Sequence, residues 1–246
     1  MEEPPELEKI SLAQTLRVLG KYPITFMTRR GLNTKWYQEY CRGKATVEFE
    51  EFTWNGIDEF SQLMTSPKFY GRFREYEYML TCHLDAFVFR DELEKWCATG
   101  YDYIGSVIYN FFWAADPMPV RSMLGFSKPE YYGNGGFTLR RIDTFYRITS
   151  RFKFYFLMYY YSQRIRKRNF HEDIFLARLF PNIFPKFSVA PKLEAQQFGA
   201  AYEHWHEKDL PFTNKDSKTL PFGAHGWTKY HPEFWIPCIR ECGYTI

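Results

Sequence analysis

The sequence predicts an α/β fold with a mainly parallel central sheet flanked by helices. Helical and strand-like segments alternate along the chain instead of falling into separate blocks, the pattern of a sheet covered by helices. Hydrophobic residues make up 45% and aromatic residues 21% of the 246 positions, ample material for one large core. No internal repeat, low-complexity segment or linker composition interrupts the chain, so residues 1–246 are expected to form a single domain.

Each element has its own local reason. In "SLAQTLRVLG" Ser11 and Gln14 stand at capping-box spacing, Leu12, Leu16 and Leu19 share a face, and Gly20 is a stop signal, which together give a helix. "YPITFM" is a short apolar run and "NTKWYQEYCR" reads as helical. "VEFEEF" alternates Val47 and Phe49 with Glu48 and Glu50, as a half-exposed strand does. Helical pieces follow at "IDEFSQLM" and "PKFYGRF", then the strand "YEYMLTC", the helix "DELEKWCATG" with an acidic first turn and Gly100 at its end, and the strand "YDYIG". Ser106 to Tyr132 is long, irregular and Pro-containing, the character of a functional loop. "GNGGFTLRR" reads as a turn into a strand, and "IDTFYRITSRFKFYFLMYYYS" as one long aromatic helix.

Charge and cysteine content exclude several classes. A net charge of +3 is far below the density of a chain that coats nucleic acid, and no nucleic-acid partner is expected. The five cysteines form no C-x-x-C pair, which argues against a disulfide framework or a zinc ribbon and for a reducing compartment. "MEEPPELEKI" lacks the pattern of a leader, and no run reaches the roughly 18 apolar residues of a membrane span, so a cytoplasmic location is expected. "SQRIRKRNF" offers Arg164, Arg166, Lys167 and Arg168 to phosphates or to an anionic lipid surface, which leaves peripheral membrane contact open. His204 and His206 in "HWH" share a strand face but lack further ligands for zinc.

Four places carry chemistry. Asp85 interrupts the apolar stretch "YMLTCHLDAFVF" at the end of a strand, where a carboxylate either holds a divalent cation or caps a turn. Gly133, Gly135 and Gly136 in "YYGNGGFTLR" permit a close backbone approach or a tight turn. Glu172 and Asp173 open the amphipathic "HEDIFLARLF", where they are either reacting groups or ordinary first-turn acids. His225 lies between small residues in "LPFGAHGW", as a ligand or as a surface side chain.

In this order and at these intervals, "YEYMLTCHLDAFVF", "DELEKWCATGYDYIG", "GNGGFTLR", "HEDIF" and "LPFGAHGW" resemble glycosyltransferase-like proteins catalogued as a domain of unknown function and placed in the GT-A nucleotide-sugar transferase fold. The resemblance runs from about Lys9 to Trp235. It implies a metal-dependent, inverting glycosyltransferase with a nucleotide-sugar donor and a glycan or other hydroxyl acceptor. The D-x-D motif of such enzymes is matched by "HLD", so Asp85 would hold Mn²⁺ or Mg²⁺ together with His225, and His83 replaces the first acid. Asp173, with Glu172 beside it, would remove the acceptor proton. Asn134, Gly135 and Gly136 would approach donor or acceptor, and aromatic residues such as Trp113, Tyr131, Tyr132 and Trp227 either stack on sugar faces or belong to the core. Such proteins begin with an apolar strand, whereas "MEEPPELEKIS" has none, so the sheet is expected to lack its usual first strand. A non-catalytic carbohydrate- or nucleotide-binding protein on the same fold is the alternative.

Overall fold

The computed structural model describes residues 3–108, 132–176, 180–201 and 220–246. Helix α1 (Glu6–Leu19) buries Leu12, Leu16 and Leu19 as its periodicity requires, but it starts at Glu6 behind Pro5, upstream of the expected capping box. Ser11 and Gln14 therefore lie inside the helix and serve the tertiary structure. Ser11 Oγ accepts a hydrogen bond from Trp227 Nε1 at 2.8 Å, and Gln14 Nε2 donates to the Val88 carbonyl at 2.7 Å.

Strands β1 (Ile24–Arg29) and β2 (Val47–Phe52) pair in parallel across helix α2 (Lys35–Cys41) and form a small sheet of their own. Helices α3 (Gly56–Leu63) and α4 (Pro67–Tyr70) lead to β3 (Tyr78–Cys82) and β4 (Ala86–Val88). Next come α5 (Leu93–Ala98), β5 (Tyr103–Ile108) and β6 (Tyr132–Arg141). The aromatic stretch expected as one helix is two, α6 (Ile142–Arg151) and α7 (Lys153–Ile165), broken where Phe152 leaves helical geometry. Short helices α8 (Glu172–Ile174) and α9 (Phe180–Ile183) precede α10 (Lys192–Phe198), β7 (Gly199–Ala200), β8 (Gly223–His225) and α11 (Pro232–Glu241).

The main sheet has the order β3-β6-β5-β7-β8-β4. Its centre is parallel (β5 with β7, β7 with β8), while β3–β6, β6–β5 and β8–β4 are antiparallel. The sheet is thus mixed, where the alternation of elements suggested a mainly parallel one. Alternating side chains of β6 feed two cores. Phe137 and Leu139 join Phe87, Phe198, Phe222, Trp227 and Trp235, whereas Arg140 points to the side of Tyr70, Tyr103 and Phe145.

Strands β3 and β4 stand at opposite edges in this order, yet only residues 83–85 separate them in the chain. Such a short link forces the sheet to curl until its two edges meet at one end. That seam carries His83 and Asp85.

Candidate metal centre and neighbouring carboxylate

The seam is tied down by backbone hydrogen bonds. His83 N–H donates to the Gly136 carbonyl at 2.8 Å, Ala86 N–H to the His83 carbonyl at 2.9 Å, and Gly226 N–H to the Asp85 carbonyl at 2.9 Å. Because β4 pairs with β8 so that Ala86 faces His225, the histidine is delivered to the residue next to Asp85. His225 Nε2 lies 3.1 Å from Asp85 Oδ1, and one ligand atom from each of His83, Asp85 and His225 falls within 4.8 Å of the others.

Electrostatics at the seam favour an ionised Asp85. Its burial works toward the neutral acid, but the hydrogen bond from His225 and the nearby His225, His83 and Lys229 outweigh it and hold the carboxyl well below its ordinary range. Lys229 Nζ sits 3.2 Å from Asp85 Oδ2, on a side chain that remains mostly in solvent. Burial and then the adjacent His225 lower the pKa of the half-buried His83 to about 4, so its imidazole is neutral and able to bind a cation. Two imidazole nitrogens and one carboxylate oxygen form a donor set suited to a divalent transition-metal ion, and less suited to Mg²⁺, which prefers oxygen ligands.

A bulge in β6 places a second chemical group beside the first. Gly105 of β5 pairs with Thr138 while the next residue, Ser106, pairs with Asn134, so residues 135–137 have no partner on β5. Their freed backbone groups bind the site: Gly135 N–H donates to Asp173 Oδ2 at 2.9 Å, and Gly136 N–H donates to Asn134 Oδ1 at 2.7 Å. A side chain clashes at Gly136 and is only tight at Gly135. A Cβ on Gly136 would stand 2.1 Å from His225 Nε2, and one on Gly135 would meet Glu172 Oε1 at 3.1 Å and Asp173 Oδ2 at 3.4 Å.

Glu172 and Asp173 are adjacent in sequence but differ in setting. Glu172 is buried, accepts from Ser61 Oγ at 2.8 Å and pairs with Arg140 Nη2 at 3.2 Å. Arg140 is itself fully buried and also donates to the Tyr70 hydroxyl at 2.9 Å and to Thr138 Oγ1 at 3.1 Å. Asp173 accepts from the N–H groups of Gly135 and of Ile174, the latter at 2.7 Å. Burial and the negative Glu172 nevertheless raise its pKa to about 6.

The sequence model of a family described as "Protein of unknown function (DUF5672)" matches residues 44–225. The chain belongs to this family. That span includes His83, Asp85, Gly135, Gly136, Asp173 and His225 of the DUF5672 chain. No curated protein matches it. Among solved structures, it is similar to a glycosyltransferase involved in the glycosylation of the major capsid of PBCV-1, with 13% identity, a TM-score of 0.40, and coverage of 88% of this chain and 98% of that one.

Most of the DUF5672 chain's expected site residues gather at one end of the main sheet. His83, Asp85 and His225 form the cluster, while Asn134, Gly135 and Gly136 form the bulge against which Asp173 leans. Glu172 is the exception among the acids, since both of its oxygens are engaged by buried partners. Trp227, expected to stack on a sugar, is instead fully buried, with its indole N–H on Ser11. Trp113, Tyr131, His204 and His206 lie outside the described residues, as does the side chain of Tyr132. Sequence reasoning missed Lys229, whose only local signal is its closeness to "GAHGW". It also missed Arg140, one of the two arginines that end β6.

Proposed function

We propose that this protein transfers a glycosyl group from a nucleotide-sugar donor to a hydroxyl acceptor with inversion, using a divalent cation held by His83, Asp85 and His225 and Asp173 as general base. The observation that carries the reading is the bulge: two successive glycines bring a three-ligand cluster and a carboxylate of raised pKa to neighbouring points of one strand. Two separated tasks of glycosyl transfer, charge neutralisation at the leaving group and proton removal at the acceptor, need two such groups. The order of sequence motifs supports the same reading.

A cation at the three ligands would neutralise the diphosphate as it leaves. Every other part belongs to the chain. Asp173, held by the Gly135 and Ile174 N–H groups, takes the acceptor's hydroxyl proton as the acceptor oxygen bonds to the anomeric carbon and the bond from that carbon to the diphosphate oxygen breaks. A pKa near 6 leaves it mostly ionised at neutral pH and still basic enough to accept a proton. Lys229 supplies a second positive charge on the solvent side of Asp85. The amide of Asn134, whose oxygen is taken by Gly136, is left to donate to a sugar hydroxyl.

The test is a thermal-shift screen of uridine and guanosine diphosphates with and without Mn²⁺, because a ligand that binds only the native state raises its melting temperature. Stabilisation by the nucleotide that requires the metal and disappears in Asp85→Asn is expected, and a screen without metal-dependent stabilisation would overturn the reading. Asp173→Asn should keep that binding while transfer falls on the order of 10² or more. Two histidines and one carboxylate are also the ligand set of non-haem iron(II) centres. Selective stabilisation by Fe²⁺ over Mn²⁺, without any nucleotide effect, would favour that second reading.

A further inference from the structure

Helix α7 has an apolar face that the fold does not use. Its inner side packs into the second core through Phe156, with Tyr159 and Tyr160 partly buried beside it against Phe170 and Phe175. On the opposite side, at helical spacing, stand Phe154 (69% exposed), Met158 (54%), Tyr161 (60%) and Ile165 (82%). Isolated apolar residues on a surface need no explanation, but four in one stripe along a single helix do.

The charge around this stripe is one-sided. From Thr144 to His171 the sequence contains Arg147, Arg151, Lys153, Arg164, Arg166, Lys167 and Arg168, and no acidic residue. Two of these are engaged, Arg147 with Asp143 at 3.1 Å and Arg164 with Asp58 at 3.6 Å. Among the described residues no carboxylate lies within ion-pair distance of Arg166, Lys167 or Arg168 at the helix end. Beside the other end, Arg141, Arg147, Arg151 and Lys186 outnumber the single acid Asp102 in the lining of an open groove of about 490 Å³.

We propose that α7 lies in the interface of an anionic bilayer, with Phe154, Met158, Tyr161 and Ile165 entering the acyl boundary and the flanking Arg and Lys residues meeting lipid phosphates. Aromatic and aliphatic residues on one face, with cations beside and beyond it, are the composition of an interfacial helix. An RNA groove would place cations along the binding track, whereas here the most exposed stripe is apolar and the cations sit at its ends.

Flotation of the full chain with vesicles of phosphatidylcholine alone, and of phosphatidylcholine containing about a third phosphatidylserine, tests this without any assay of transfer. Binding to the anionic vesicles only is expected, with at least a tenfold loss in Phe154→Ser/Ile165→Ser and a comparable loss in Arg166→Gln/Lys167→Gln/Arg168→Gln. Because these side chains are exposed, both variants should melt at the wild-type temperature, which separates lost docking from lost folding. Absence of vesicle binding overturns the proposal, as does full binding by the Phe154/Ile165 variant, which would show plain electrostatic adsorption. Self-association abolished by Phe154→Ser/Ile165→Ser would instead assign the stripe to a second copy of the chain. Salt-sensitive binding of single-stranded RNA in place of vesicles would assign the basic residues to nucleic acid. Neither the metal cluster nor Asp173 enters the measurement, so its outcome is independent of the proposed transfer reaction.

Discussion

Gly136→Ala is the smallest change that separates the metal cluster from the rest of the fold. The new methyl carbon would stand 2.1 Å from His225 Nε2, 2.3 Å from Cδ2 and 2.6 Å from Cε1. Ordinary contacts lie near 3.5 Å, so the imidazole must retreat by more than about 1 Å. His225 Nε2 begins 3.1 Å from Asp85 Oδ1, and a retreat of that size takes the pair beyond hydrogen-bonding distance. Losing the group that orients a metal-ligating histidine typically costs about 10- to 100-fold in metal affinity, and a loss of that order in Mn²⁺ affinity is expected here. Gly136 does not have a positive φ, so the effect is steric and not a consequence of backbone strain. Isothermal titration with Mn²⁺ gives the affinity, and a melting curve confirms folding. Gly135→Ala is the control: its methyl meets Glu172 and Asp173 at 3.1–3.4 Å, so it should perturb Asp173 and leave Mn²⁺ binding near wild type. Mn²⁺ affinity within twofold of wild type in Gly136→Ala would refute the assignment of His225 as a ligand.

Three further expectations follow from the charges. Asp173, with a folded pKa raised to about 6, binds a proton more tightly folded than unfolded, so it costs stability above pH 6 and the cost fades as pH falls toward 4. At 1.36 kcal/mol per pH unit this is at most about 3 kcal/mol, and Asp173→Asn should melt several degrees higher than wild type at pH 8 but not at pH 4, by calorimetry. Glu172→Gln removes the negative charge that helps raise the Asp173 pKa, so the acid limb of the transfer rate should move below pH 6; the melting temperature should fall because Arg140 loses its buried anion. Lys229→Met removes the ammonium that faces Asp85 from solvent, and Mn²⁺ affinity by titration should rise by a factor on the order of 10, a modest figure because the lysine is exposed and screened.

Local signals in the sequence were read well, and long-range ones were not. The alternation in "VEFEEF", the leucine face of α1 and the acidic start of "DELEKWC" depend on neighbours a few residues apart, and each appears as an element where periodicity puts it. The Ser11–Gln14 spacing misled because both residues find partners far away in sequence, at Trp227 and Val88, which no local pattern encodes. Continuous aromatic character hid the break at Phe152, since both helices bury one face and the apolar run never stops. The curl of the main sheet could not be read either, because it follows from which strands pair and not from the composition of any strand. Asp85, Asp173 and His225 stand out beside apolar or glycine-rich runs, whereas His83 enters only through the family resemblance. Lys229 looks like any exposed lysine until β8 brings its loop to Asp85.

The two carboxylates of the site are driven in opposite directions by their surroundings. Asp85 faces His225, His83 and Lys229 and is held as an anion. Asp173 is half-buried beside Glu172, and desolvation and that negative neighbour raise it to about 6. Glu172 in turn is paired with Arg140, which is fixed among Tyr70, Thr138 and the second core. This chain of contacts gives the buried Arg140–Glu172 pair a use beyond stability. Such a pair contributes little to folding once desolvation is counted, but it fixes a negative charge next to Asp173. An unpaired buried acid at position 172 would protonate and cease to act on its neighbour. Environments that push two carboxylates apart mark one as a charge holder and the other as a proton carrier. In the proposed transfer Asp85 serves the cation, Asp173 takes the acceptor's proton, and Glu172 does neither, acting only through the charge it holds beside Asp173.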